Sequence, residues 1–95
     1  MSKSIYEYSD YKVYLNDKIK ASPAKGRGLK LKIAEFLNCQ NTFISQVLNG
    51  LPHFSLEQGI KLNSFVEHTK EEGKFFIQMI HFARAGNSEL KEFYQ

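Results

Sequence analysis

The chain has a single cysteine, two prolines and no tryptophan among its 95 residues. One cysteine, Cys39, excludes an internal disulfide. No stretch approaches the roughly 20 apolar residues that a membrane span requires. The N-terminal MSKSIYEYSDYK lacks the apolar core of a signal peptide. Together these absences predict a reducing, cytoplasmic compartment of bacterial type and no membrane partner. Catalytic signatures are also scarce. His53, His68 and His81 have no cysteine or acid at a ligand spacing, so no metal is expected. Gly26 and Gly28 form no phosphate-loop pattern. Neither an enzyme, nor a cofactor, nor a small-molecule ligand is expected. Cys39 reads as a small buried hydrophobe; a redox-sensing thiol is the alternative.

Acid is missing where it matters most. From Lys18 to Lys32 there are six cations (Lys18, Lys20, Lys25, Arg27, Lys30, Lys32) and no carboxylate. From Asn38 to His53 there is again none. Residues 1–50 carry eight Lys/Arg against four Asp/Glu, while residues 51–95 carry five against six. Such a front-loaded positive charge attracts phosphate backbones and speeds encounter with them; a solvated basic loop is the alternative.

What is present suits one folded domain spanning 1–95. The hydrophobic fraction is 42% and the aromatic fraction 14%, compatible with a globule whose core is thin. The spacing predicts an all-α bundle of five to six helices and no strand. Ser9 or Asp10 caps a first helix, about Asp10 to Lys20, bearing Tyr11, Tyr14, Leu15 and Ile19. Ile5, Tyr6 and Tyr8 fold back on the core as an apolar arm. Ser22 to Gly28 is a loop. Leu29 to Leu37 places Leu29, Ile33, Phe36 and Leu37 on one face, and Asn38 ends it in the left-handed region that asparagine tolerates. Asn41 to Asn49 places Phe43, Ile44, Val47 and Leu48 inward, with Gly50 and Pro52 as terminators. Ser55 to Gln58 and Thr69 to Glu72 are capping boxes. They open a fourth helix, with Leu56, Ile60, Leu62 and Val66, and a fifth, with Phe75, Phe76, Met79, Ile80, Phe82 and Ala83. Ser88 to Tyr94 forms a short sixth helix.

The stretch LKLKIAEFLNCQNTFISQVLNG, Leu29 to Gly50, carries the functional expectation. Two short helices joined by a tight turn need a small residue at their closest approach, supplied by Ala34. They need a branched wedge pointing back, supplied by Ile44, and a further anchor, Val47. Ile33 and Leu37 complete the shared core. The second helix then presents Gln40, Asn41, Thr42, Ser45 and Gln46 outward. Gln and Asn bond the adenine N6/N7 edge bidentately, and Ser and Thr bond bases or phosphates.

On these residues the segment resembles the helix-turn-helix of the Cro/C1 (lambda repressor-like) superfamily. Ile33-Ala34, Ile44-Ser45 and Leu48-Asn49-Gly50 fall at its small residue, its wedge and following serine, and its terminal glycine. Ser55 to Val66 is similar to the helix that commonly follows. A wider resemblance, through DYKVYL at Asp10–Leu15 and EGKFFIQMIHFARA at Glu72–Ala85, is to the N-terminal region of a poorly characterised bacterial helix-turn-helix family. Its members usually continue into a further C-terminal region. The chain departs from the superfamily pattern at four places. Asn38 replaces the turn glycine, Lys30 stands where a phosphate-contacting glutamine is usual, Phe43 adds bulk to the second helix, and Asn63 stands where alanine is common.

The resemblance implies a transcriptional regulator, or its DNA-binding domain, that reads double-stranded DNA through the major groove. Gln40, Asn41, Thr42, Ser45 and Gln46 would read bases. Lys25, Arg27, Lys30, Lys32 and Asn49 would hold phosphates. Specificity would come from a homodimer, for which Phe76, Ile80 and Phe82 are one candidate face; packing against the first helix is the preferred use of that face. A helical protein-interaction module, or an antitoxin-like regulator that does both, is the competing reading.

Overall fold

A computed structural model describes residues 3–26 and 28–85, with the side chains of residues 24 and 25 excepted. Five α-helices follow in order: α1 (Tyr11–Lys20), α2 (Leu29–Leu37), α3 (Asn41–Asn49), α4 (Leu56–Val66) and α5 (Lys70–Arg84). Single 3-10 turns at Ile5–Glu7 and Pro23–Gly26 precede α1 and α2. No strand occurs among the described residues, so the chain is an all-α bundle. The predicted sixth helix, Ser88 to Tyr94, lies outside them.

The helix boundaries are set by local chemistry. Asp10 accepts from the Lys12 N–H and caps α1. Ser55 with Gln58 and Thr69 with Glu72 form the two expected capping boxes. A third, Ser4 with Glu7, opens the N-terminal arm. Asn38 ends α2 at φ 56°, ψ 51°, the left-handed well in which asparagine is the least strained residue after glycine. The Ser22–Gly28 segment is not wholly irregular. Its 3-10 turn ends at Gly26, whose φ is 80° and whose missing Cβ admits the Ile19 carbonyl oxygen.

The core gathers one or more residues from every helix. Tyr11, Ile44, Val47, Phe54, Leu62, Phe76 and Ile80 are the most deeply buried. The arm behaves as predicted for Ile5, which is buried. Tyr6 is exposed and sets its ring edge-on to Phe75, and Tyr8 does the same to Tyr14. Three predicted core positions face outward instead. Phe36 is 46% exposed, its ring tilted against Phe65 at 5.2 Å. Leu56 and Ile60 are exposed because α4 turns Gly59 and Leu62 to the core. A Cβ on Gly59 would lie 2.7 Å from Ile80 Cδ1, so α5 runs close over that line. Ile60, about 100° further round the helix, is left in solvent. The apolar arc of α5 is taken up within the chain at Phe76, Met79 and Ile80, while Phe82 is half-buried. Phe76 and Ile80 have no exposed surface, and α5 packs against α4, α1 and the first 3-10 turn. Phe76 and Ile80 therefore cannot serve as a dimer face.

Candidate nucleic-acid interface

α3 is built with two unlike sides. Ile44 and Val47 are fully buried and Leu48 nearly so, while Phe43 is half-buried and edge-on to Phe54 at 6.0 Å. A 3.6-residue period puts the intervening polar residues on the opposite side. Gln40, Asn41, Thr42, Gln46 and Asn49 are exposed, and Ser45 is half-buried. Thr42 makes only a long contact to Gln40, at 3.5 Å, and Asn49 donates to the Ser45 carbonyl at 3.1 Å. The side chains of Asn41 and Gln46 have no hydrogen-bond partner among the described residues, so their donors and acceptors face water.

α2 supports α3 from behind. Ala34 is buried, as are Ile33 and Leu37, and the two helices make close contact. The turn closes with the Cys39 N–H donating to the Ala34 carbonyl at 2.9 Å and the Asn38 N–H to Glu35 at 3.2 Å. This satisfies two of the carbonyls that a helix end leaves open. Cys39 is half-buried in the turn, and burial pushes its thiol pKa up. It is thus held further from the reactive thiolate than an ordinary cysteine.

The predicted cations do not all gather beside α3. Lys30 is half-buried and Lys32 exposed in the first turn of α2. Arg27 and the Lys25 side chain lie outside the described residues. Lys18 is turned away, with its ammonium 5.7 Å from the Tyr14 ring centroid and within electrostatic reach of His68 and Glu72.

Sequence reasoning missed what holds α3 at its far end. Lys12 Nζ donates to the carbonyls of Gly50 at 2.6 Å and Pro52 at 2.7 Å. Asn16 Nδ2 donates to the Leu48 carbonyl at 3.0 Å. Partial burial lowers the Lys12 pKa, opposed by the nearby Asp10 carboxylate. The i, i+4 spacing of these two donors, beside buried Tyr11 and Leu15, was the available signal.

Two of the histidines are held by side-chain hydrogen bonds. His53 Nδ1 lies 2.8 Å from the Tyr11 hydroxyl, which also accepts the Phe54 N–H at 3.3 Å. His68 Nε2 lies 2.7 Å from the Tyr14 hydroxyl and Nδ1 2.7 Å from Asn63 Oδ1. Asn63 Nδ2 donates to the Gly73 carbonyl, so its Oδ1 must accept. Neutral His68 therefore donates from Nδ1 and accepts the Tyr14 proton at Nε2. Burial lowers the His68 pKa and favours this neutral form; Glu72 opposes the shift and Lys18 adds to it. Burial likewise pushes Tyr11 and Tyr14 up to about 12.

Among the described residues no group of three or more His, Cys, Asp or Glu is placed to hold a metal ion. None of the helices there is long and apolar enough to cross a membrane. A shallow concavity of about 590 Å³ lies between α4 and α5, bordered by Asn63, Glu67, His68, Lys70 and Lys74, and its lining includes no residue of α3. No protein-family model, curated protein or solved structure matches the chain.

Proposed function

We propose that the chain is a sequence-specific double-stranded DNA-binding domain, acting in a transcriptional regulator, with α2 and α3 as its helix-turn-helix. The observation that carries this reading is the outward side of α3. Asn41, Thr42, Gln46 and Asn49 stand exposed on a helix whose other side is anchored by Ile44 and Val47, with Gln40 exposed at its N-cap, and no carboxylate occurs from Asn38 to His53 to repel phosphate. Gln40, Asn41 and Gln46 offer paired donors and acceptors for adenine edges, and Thr42 and Ser45 offer hydroxyls. The free N–H groups at the start of α3 add a partial positive charge toward a phosphate. Lys30 and Lys32, with Lys25 and Arg27 before them, clamp the backbone and set register, and Asn49 adds a contact beyond the reading helix. Two such units with half-sites about 34 Å apart supply useful specificity.

The test is selection of bound sequences from random duplexes by the purified chain, followed by binding against salt. A recovered motif with steep salt dependence is expected. Lys30→Ala combined with Lys32→Ala should reduce the log-log slope by about two, one for each phosphate no longer neutralised. An unchanged slope would discard the clamp. No motif and no salt-sensitive binding would discard the DNA reading. That outcome would favour the second reading, a helical protein-interaction module, to which exposed Leu51, Leu56 and Ile60 point.

A further inference from the structure

Resting on the DNA reading, we propose that Lys12 and Asn16 of α1 are positioning residues that fix the angle at which α3 meets the groove. The last carbonyls of any helix have no partner within it. α2 and α4 solve this with the N–H groups of the turn that follows, Asn38 and Cys39 in one case, Glu67 and His68 in the other. At the end of α3 the donors come instead from another helix. Gly50 leaves α3 extended, at φ −142°, and the Leu48, Gly50 and Pro52 carbonyls turn to Asn16 Nδ2 and Lys12 Nζ at 2.6–3.0 Å. The last turn of α3 is thereby tied to α1 at one point and the link into α4 at two. Asn16 also donates to the Lys12 carbonyl, which fixes its own amide.

The geometry makes this tie a lever. Nine residues of helix span about 13 Å, so a tilt of about 5° at the tied end moves Asn41 and Thr42 by about 1 Å. A bidentate base contact tolerates roughly half that error. Lys12 is spent on carbonyls and is not offered to phosphate, so its effect falls on discrimination rather than on salt dependence.

The experiment compares the unmodified chain, Lys12→Met and Asn16→Ala on a selected duplex and a scrambled one, below the melting range of each variant. Amide exchange at Leu48–Leu51 of the free proteins is measured alongside. Both variants should lower the selected-to-scrambled affinity ratio about tenfold, the value of one good base pair contact. The salt slope should not change, and exchange at Leu48–Leu51 should rise at least tenfold. An unchanged ratio, or an equal loss on both duplexes, would overturn the proposal. So would a slope reduced by about one in Lys12→Met, the mark of a direct phosphate contact. Unchanged exchange would overturn the tie itself. If the unmodified chain shows no salt-sensitive binding, the DNA reading falls and the groove-angle role with it, while exchange still reports whether the tie exists, so the two failures are separable.

Discussion

Replacing Gly73 by alanine should destabilise the chain even though alanine is the better helix former. In mid-helix the exchange normally gains about 1 kcal/mol. Here the added Cβ would lie 3.0 Å from Asn63 Nδ2 and 3.2 Å from its Cγ. Asn63 has nowhere to retreat. Its Nδ2 is committed to the Gly73 carbonyl at 3.3 Å and its Oδ1 to His68 at 2.7 Å. Overpacking of this kind costs about 1–3 kcal/mol, and stretching one hydrogen bond adds about 1 kcal/mol. The net loss should be about 1–3 kcal/mol, or several degrees in Tm for a domain of this size. Asn63→Ala alone removes both bonds and should cost about 2 kcal/mol. In that background the three nearest atoms to the new Cβ are gone, and Gly73→Ala should recover its propensity gain. Urea unfolding of the four proteins measures the coupling, expected at about 2–4 kcal/mol. If Gly73→Ala stabilises both backgrounds equally, with effects additive to within about 0.5 kcal/mol, the reasoning about Asn63 is wrong.

Stability should fall as pH drops below the ordinary histidine value of 6.5. The folded chain holds the His68 pKa below that value, so the unfolded state takes up its proton first and gains on the folded state across that interval, with the full contribution present above it. Urea midpoints at pH 7.5, 6.5 and 5.5 check this, and His68→Gln should flatten the profile. Phe76→Ala removes a ring with no exposed surface at the meeting of Tyr11, Tyr14 and His68. It should cost about 3–5 kcal/mol by denaturant titration; a loss below 1 kcal/mol would mean that the core is not closed there.

The helix ends were the most legible part of the sequence because each is written locally. Ser55 with Gln58, Thr69 with Glu72, and Asn38 in its left-handed turn are short-range devices. The two-sided character of α3 was legible for the same reason, since a 3.6 period needs no knowledge of neighbours. Phe36 and Ile60 were misplaced because helical spacing gives a face, not its occupant. Gly59 captured the approach of α5 and left Ile60 outside. The ties from Tyr11 to His53, Tyr14 to His68, and Lys12 to Gly50 span 42, 54 and 38 positions. Backbone carbonyls in particular leave no mark in the sequence. Asn63, a departure from the resembled pattern, became intelligible only beside Gly73 and His68.

The division of labour within α3 carries an evolutionary consequence. Asn41 and Gln46 touch nothing that the interior depends on, and substitutions at such surface positions normally change stability by less than about 0.5 kcal/mol. The outward positions can therefore drift, or be randomised in a library, while the anchors at Ile44 and Val47 stay put. If the proposed reading holds, a chain built this way acquires a new target without first having to learn again how to fold.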